Sequence, residues 1–362
     1  MCRHLVIPPI TSAHRLRRAL RSTALAVVLL AAAVPSAAAA DSPPLPEFGS
    51  QFHATWTDYT SEQRELVLER LQRAGVEWVR IDVGWETLEP RRSGAIQSWY
   101  RDLLDHAVDA SRRQGMSIVL TVLATPRWAS GRRSATAPPR DPDDFGAVMG
   151  WLAHRYEGEV DAYEVWNEPN SPAFFSGSPR DYAEMLRSAH DAIAEADPDA
   201  MVVAGATQYN DDAFLEAVYE AGGQGLFDVW STHPYMGLAD APPETEDDGT
   251  MWTMDHVRVI RAVMDEHEDR DVPIWFTEFG WSSHSSSRHT PEWRRGVSTS
   301  RQASYLVRAL RFVAAEHPSV EVMIWYTERN KDTGDRHEDN YGLLTRDLRP
   351  KPVYLAARRL LK

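Results

Sequence analysis

The sequence predicts a single (β/α)₈ TIM barrel, and two observations lead to this fold class. Between residue 50 and the end of the chain at residue 362, short apolar stretches alternate with longer segments of helical periodicity, in eight pairs. Such alternation is typical of a parallel sheet covered by helices, and eight pairs over this length favour a closed barrel. A doubly wound open sheet would need a glycine-rich phosphate turn after an early strand. GGQG at 222–225 has neither the spacing nor the position of such a turn.

The predicted strands are short and apolar, as expected when both faces of a parallel sheet are buried. MSIVLTVLA at 116–124 is the clearest case, because it is apolar almost without interruption. In chain order the predicted strands cover residues 49–54, 77–83, 116–124, 160–166, 200–206, 227–233, 272–278 and 320–326.

A helical pattern follows each predicted strand, and several patterns carry their own boundary signals. Thr60 and Gln63 form a capping box, and Gly75 suits the end of the same helix. Pro142 stands where a first helical turn should begin. The predicted helices cover residues 60–75, 97–114, 142–156, 178–196, a segment from 212, 254–266, 291–316 and 351–361.

The first 40 residues predict a secretory signal peptide. A basic region precedes an apolar run at 24–34, and Ala38–Ala40 offer a small-residue cleavage site. The alternative is a membrane anchor, but the run is short for the ~30 Å of hydrocarbon that a span must cross. We therefore expect a secreted protein without a membrane span after cleavage near Ala40. A short linker at 41–48 would then lead into the barrel domain at 49–362.

Charge and cysteine content narrow the classes of partner. The formal net charge is −14, and loss of the five arginines of the acid-free leader would bring it to about −19. So negative a surface repels nucleic acid and anionic membranes, and it suits a neutral ligand. The only cysteine, Cys2, lies in the leader, so we expect no disulfide in the mature protein. No residues show metal-ligand spacing or a phosphate-binding motif, so the sequence predicts neither a metal nor another cofactor.

The residues that end the predicted strands point to a catalytic site, because active sites of such barrels lie at the strand C-termini. Two carboxylates, Glu168 and Glu278, end the fourth and seventh strands. Each feature alone has an ordinary explanation, such as a helix cap or core packing, but together they predict one active-site rim. Glu164 is expected to lie deeper in the barrel as a structural acid with a basic or hydroxyl partner. The other side chains at the predicted rim are Arg80, Trp128, Asn167, His233, Tyr235, Trp281 and Trp325.

Two motifs carry a family resemblance. WNEP at 166–169 and TEFGW at 277–281 resemble the catalytic signatures of clan A glycoside hydrolases, in which strand four ends in Asn-Glu and strand seven in Glu. The details are most similar to family 39 and its relatives, and the family 5 endoglycanases come next. The resemblance covers nearly the whole predicted mature chain. It also rests on VRIDVGWETLEP (79–90), TPRWAS (125–130), WNEPN (166–170), THPY (232–235) and a YGLL…KP tail (341–352).

The resemblance implies a role for each candidate residue. Glycoside hydrolysis through an oxocarbenium-like transition state needs two carboxyls in different protonation states. Glu168 would be the general acid/base, with a raised pKa, and Glu278 the ionised nucleophile. Arg80 would stabilise the charge of Glu278, and Tyr235 would donate a hydrogen bond to it, with His233 in the same network. Asn167 would bind the sugar 2-hydroxyl. Trp325 would form the floor on which the sugar stacks, and Trp128 and Trp281 would extend that floor.

We therefore expect a secreted retaining β-glycosidase that acts on an oligo- or polysaccharide without a cofactor. Two alternatives stay open at this point. A transglycosylase that remodels an envelope polysaccharide would use the same residues. A catalytically silent sugar-binding barrel is less consistent with the sequence, because binding alone does not require both Glu168 and Glu278. The sequence specifies neither the sugar nor an oligomeric state.

Overall fold

A computed structural model describes residues 43–362 as a closed barrel of eight parallel strands, each paired with its sequence neighbours, with β1 closing on β8. The predicted (β/α)₈ fold is therefore confirmed. The strands are β1 (Glu47–Gln51), β2 (Trp78–Gly84), β3 (Ser117–Leu123), β4 (Ala162–Val165), β5 (Met201–Gln208), β6 (Val229–His233), β7 (Ile274–Phe279) and β8 (Val320–Trp325).

Helices lie between the strands and after the last one. No helix in residues 43–362 is both long enough and apolar enough to cross a membrane. The helices are α1 (Ser61–Ala74), α2 (Trp85–Leu88), α3 (Ser98–Arg113), α4 (Pro142–Arg155), α5 (Pro179–Ala196), α6 (Asp212–Glu220), α7 (Val257–Glu266), α8 (Thr299–Glu316) and α9 (Pro352–Leu361).

The predicted boundaries hold where a cap defines them. Thr60 and Gln63 form the expected capping box, and Gly75 adopts a left-handed backbone at the end of α1. The eighth helix begins later than the expected residue 291, because the N-cap is Ser298, whose hydroxyl accepts a hydrogen bond from the Arg301 amide. The barrel itself begins earlier than expected, since Glu47 already pairs with β8 and the linker would end before it. The predicted leader lies outside the described residues.

The barrel interior changes character along its axis. An apolar cluster fills its lower part, with Trp78 and Trp275 packed edge to face at a centroid distance of 4.9 Å. Above that layer, Arg80 and Glu164 are fully buried in the interior and form an ion pair. A charged layer therefore lies directly beneath the C-terminal rim, where the candidate catalytic residues are found.

Candidate active site

The segment that follows β4 leaves the sheet abruptly and presents Glu168. Trp166 and Glu168 both have left-handed backbones, with φ of 70° and 47°. Such conformations are unfavourable for residues with a Cβ and persist only where surrounding contacts hold them. Here the Glu168 amide donates to the Ala206 carbonyl at 2.9 Å, which ties the turn to β5. Glu168 is thereby fixed in one place at the rim.

Glu278, near the end of β7, accepts hydrogen bonds at both carboxylate oxygens. Arg80 Nη1 donates to Oε1 at 2.8 Å, and the Tyr235 hydroxyl donates to Oε2 at 2.9 Å. The pKa of Glu278 is raised, chiefly by burial, while the Arg80 charge and the Tyr235 hydrogen bond oppose this rise by favouring the ionised form. Both side chains that the sequence placed beside Glu278 are therefore in contact with it.

Arg80 connects the elements of the site from below. Besides Glu278, its guanidinium donates to Glu164 at 2.7 Å, to Gln51 at 2.8 Å and to Asn167 at 2.7 Å. Burial works against the arginine charge, but the carboxylates of Glu164 and Glu278 outweigh it and raise the pKa of Arg80. Arg80 is therefore a permanent cation at the centre of the site.

Glu164 has the structural role that the sequence predicted. The partners left open there are now identified as Arg80, Thr121 at 2.8 Å and Ser231 at 2.9 Å. Burial raises the pKa of Glu164, but Arg80 overcomes that effect and holds the pKa below its usual value. Glu164 is thus an ionised carboxylate beneath the cleft, fully buried and without access to a ligand.

Glu168 lies in a different environment from Glu278. Gln208 Nε2 lies 2.9 Å from one carboxylate oxygen, and His233 Nδ1 lies 3.1 Å from the other. Burial is the largest influence on Glu168 and raises its pKa, and the charge of Glu278 raises it further. No arginine within residues 43–362 contacts Glu168 directly, so the two glutamates are electrostatically distinct.

The two glutamates and His233 lie close together at the rim. One ligating atom of each lies within 4.8 Å of the others, so the structure forms a cluster that sequence spacing did not indicate. Such a trio could geometrically hold a cation. However, both oxygens of Glu278 already accept from Arg80 and Tyr235, and the Arg80 charge 2.8 Å away opposes a second cation. These contacts therefore argue against a metal ion at this cluster.

The three tryptophans expected to stack on the sugar are not in the cleft, and this expectation is corrected. Trp325 is fully buried, and its indole N–H donates to the Tyr341 carbonyl. Trp281 is likewise buried and donates to the Ala241 carbonyl. Trp128 donates to a backbone carbonyl in the loop after α2 and packs against Trp85. All three stabilise the core or its loops.

Strand alternation explains the error at Trp325. On β8, Val322 and Ile324 face the interior cluster, while Met323 and Trp325 face the core between barrel and helices. Successive side chains of a strand point to opposite faces of the sheet, so an error of one residue places the wrong side chain in the cleft. Tyr326 is therefore the residue that lines the cleft.

The cleft has a volume of about 410 Å³ and includes side chains that the sequence analysis did not single out. Aromatic rings at its edge remain partly exposed, as sugar-stacking surfaces require. Glutamine, aspartate and tyrosine side chains add polar groups from β5, β2 and the end of β8. Among the lining residues missed from the sequence are Trp56, Asp82, Phe174, Gln208, Trp293 and Tyr326.

Comparison with solved structures gives a consistent fold assignment. A family 39 glycoside hydrolase from the gut symbiont Bacteroides cellulosilyticus WH2 has a TM-score of 0.71 at 22% identity, covering 88% of this chain and 64% of that chain. GH5_18 from Streptomyces cattleya, solved in complex with GlcNAc, has a TM-score of 0.68 at 19% identity, covering 88% and 80%. A monomeric beta-xylosidase from Caulobacter crescentus CB15 has a TM-score of 0.60 at 21% identity, covering 88% and 69%. The chain thus spans slightly less than two thirds of the length of the first of these proteins.

Sequence comparisons identify the family. Curated protein sequences give no significant match. The model of the Cellulase family (glycosyl hydrolase family 5) matches residues 39–328. The expected resemblance to clan A glycoside hydrolases is confirmed, and the matching family is the one that the sequence analysis placed second. With most of its length matched by this model, the chain belongs to glycosyl hydrolase family 5.

Proposed function

We propose that this protein is a secreted retaining β-glycosidase that hydrolyses O-glycosidic bonds of an oligo- or polysaccharide. One observation carries the proposal: two buried carboxylates, Glu168 and Glu278, face one cleft with oxygens within 4.8 Å of each other. Their surroundings differ, since Glu278 contacts a cation and Glu168 does not. A pair of carboxyls with one ionised and one protonated is what glycoside hydrolysis requires.

In the first step, Glu278 attacks the anomeric carbon as the bond to the leaving oxygen breaks, and Glu168 transfers its proton to that oxygen. In the second step, Glu168 accepts a proton from water, whose oxygen displaces Glu278 from the anomeric carbon. The short distance between the carboxylates supports this double displacement. Retaining enzymes place their carboxyls roughly 5–5.5 Å apart, whereas inverting ones need ~6.5–9.5 Å to admit a water.

The neighbouring residues support both steps. Arg80 and Tyr235 favour the ionised form of Glu278 and stabilise it again as the leaving group of the second step. Asn167 lines the cleft, and Arg80 fixes its orientation. Because arginine only donates, the atom of Asn167 facing it is the carbonyl oxygen, so the amide NH₂ is free to donate to the sugar 2-hydroxyl.

The cleft edge supports a carbohydrate of more than one unit as the substrate. Trp56, Phe174 and Trp293 project partly exposed rings from loops after β1, β4 and β7. Flat apolar rings of this kind stack on sugar faces, and their spread around the cleft suits several sugar units. Trp325, Trp281 and Trp128 are not part of this surface. Export is proposed from the sequence of residues 1–40 alone.

The stereochemical outcome tests the proposal. Purified enzyme would be screened with aryl β-glycosides of common neutral sugars, and proton NMR would follow the anomer of the first-formed product. We expect the β-anomer first, and loss of activity in Glu278→Ala but not in a control such as Glu220→Ala, which alters an exposed residue of α6. An α-anomer formed first, or full activity in Glu278→Ala, would contradict the mechanism.

A further inference from the structure

An aspartate on β2 presents its carboxylate to the cleft. Arg80 and Asp82 lie on the same face of β2, because side chains two residues apart on a strand point to the same side, and Ile81 between them packs in the core outside the barrel interior. Asp82 is therefore one step nearer the C-terminal rim than Arg80. Its side chain lines the cleft and is 32% exposed, whereas Arg80 beneath it has no exposed surface.

The carboxylate of Asp82 accepts no hydrogen bond from any group in residues 43–362. Arg80 Nη1 approaches it to 3.6 Å, but both hydrogens of that nitrogen are used, since it donates to Gln51 and to Glu278 at 2.8 Å each. The Thr55 hydroxyl donates to the backbone carbonyl of Asp82 and not to its side chain. A partly exposed carboxylate without a donor is therefore open to the donors of a ligand in the cleft.

The barrel order places Asp82 on the side where the attacked sugar would lie. In the proposed mechanism Glu168 protonates the leaving oxygen, and Gln208 on β5 contacts Glu168, so the leaving group lies toward β4 and β5. In the closed barrel β1 is opposite β5, and β2 is next to β1. The sugar ring whose anomeric carbon Glu278 attacks extends away from the leaving group, and thus toward β1 and its neighbours.

The charges around the cleft favour a neutral ligand over an acidic one. Within residues 43–362, no lysine or arginine lines the cleft. Beneath it Arg80 is paired with two glutamates, and Lys331 is paired with Glu338 at 3.3 Å. A sugar carboxylate beside Asp82 would be repelled without a lysine or arginine of the lining to offset it, whereas a sugar hydroxyl can donate to Asp82.

We propose that Asp82 is a specificity-determining residue: its carboxylate accepts hydrogen bonds from hydroxyls of the sugar that Glu278 attacks, and its charge excludes sugars that carry a carboxylate beside it. The inference rests on the proposed function, in which Glu278 is the nucleophile. An alternative role would act through Glu278 alone, because burial raises the pKa of Glu278 and the charge of Asp82 adds to that rise. Such a role would change kcat/KM by the same factor for every substrate, whereas a hydrogen bond depends on a particular hydroxyl.

The test combines an enzyme variant with substrates that lack single hydroxyls. On the best aryl β-glycoside of the screen, Asp82→Ala should lower kcat/KM about 10- to 100-fold, the scale of a hydrogen bond to a charged group. On the deoxy analogue that lacks the contacted hydroxyl, the wild type should lose a similar factor, and Asp82→Ala should lose almost nothing further. Glu86→Ala, which removes an exposed carboxylate of α2 outside the cleft, should lose on each analogue the same factor as the wild type. No loss in Asp82→Ala, or an equal loss on the parent and on every analogue, would overturn the proposal.

The exclusion of acidic sugars is tested with Asp82→Asn, which keeps the shape and one acceptor oxygen but removes the charge. The wild type should prefer the neutral glycoside to the matching aryl β-uronide, and this preference should fall at least about tenfold in Asp82→Asn, because the repulsion between two carboxylates is lost. An unchanged preference would overturn the exclusion.

Binding without turnover separates this inference from the proposed function. Calorimetry on Glu168→Gln would use methyl β-glycosides, which lack an activated leaving group. Adding Asp82→Ala should weaken binding of the parent sugar more than binding of the deoxy analogue. Equal weakening of both would overturn the proposal even where the enzyme is a retaining glycosidase. Weakening that depends on the hydroxyl would support it even where the first-formed anomer contradicts that function.

Discussion

Replacement of Glu168 by alanine should separate proton transfer from nucleophilic attack. The change removes a carboxyl held between Gln208 and His233, and leaves Glu278 with both of its donors. Formation of the glycosyl-enzyme then depends on how well the leaving group departs without a proton. An aryl glycoside with a very acidic phenol needs little help, so its first step should survive.

The size of the effect depends on the leaving group. General acid catalysis contributes roughly 10²–10⁴-fold, so a substrate with an alkoxide or sugar leaving group should lose about that factor in kcat/KM. With the acidic phenol the loss should be much smaller. Turnover should still be slow, because no base activates water and the glycosyl-enzyme accumulates. A burst of phenol equal to the enzyme concentration would report this accumulation.

Azide provides the discriminating assay. Removal of the Glu168 carboxyl leaves a space beside the Gln208 amide, whose N–H₂ can donate to an anion that replaces it. Azide needs no base, so it should restore turnover and give a β-glycosyl azide from a β-glycoside. The matched control is Glu168→Gln, which also lacks the acid but fills the space and should be rescued less.

The outcome in the Glu278→Ala variant completes the argument. Here no glycosyl-enzyme can form, so azide can only attack the substrate directly and give the α-azide. Equal losses in the two alanine variants, with no burst and no azide product from either, would refute the assignment of acid/base to Glu168 and nucleophile to Glu278. A β-azide from the Glu278 variant would also refute it.

Two further outcomes test the cleft wall and a buried charge. Tyr326→Ala should reduce kcat/KM and, because Tyr326 is only partly buried, should lower the free energy of unfolding less than Trp325→Ala, which should cost ~3–5 kcal/mol, as for other large buried residues. Urea unfolding and kinetics of both variants test this; a larger loss of stability in Tyr326→Ala, with kcat/KM lost only in Trp325→Ala, would place Trp325 in the cleft. Burial lowers the pKa of Lys351 to about 7 from 10.5, so the unfolded chain binds the proton more strongly. Stability should therefore rise with pH between these values, and Lys351→Met should lose that rise; a difference between the two proteins that is constant with pH would contradict this.

The fold and the two central carboxylates were predictable because each depends on local patterns. Capping residues and apolar stretches specify where elements begin, and parallel strands bring all their C-terminal ends to one rim. That topology alone places Glu168 and Glu278 together, although 110 residues separate them in the chain.

The face of the sheet on which a side chain lies was harder to predict, because it depends on strand register rather than on composition. Trp325 and Tyr326 are both aromatic and adjacent, and only the alternation along β8 decides which one enters the cleft. On β5 the register shifts between Ala204 and Thr207, so the position of Gln208 beside Glu168 could not be counted from the strand start. The start of α8 was misplaced for a different reason: Pro291 precedes a separate short 3₁₀ turn at Glu292–Arg294, and α8 itself is capped by Ser298.

The distribution of buried positive charge explains why two similar glutamates can act differently. Three glutamate carboxylates, Glu164, Glu168 and Glu278, lie in and beneath one cleft, and Arg80 contacts only two of them. With Glu164 and Glu278 ionised, these two carboxylates and Arg80 together already carry a net charge of −1 in a region largely shielded from water. Ionising Glu168 as well would add a second uncompensated negative charge, which is costly at low dielectric. In the proposed mechanism the proton therefore stays on Glu168, because it is the carboxyl that Arg80 does not contact, and the proposed assignment follows from the placement of one arginine on β2.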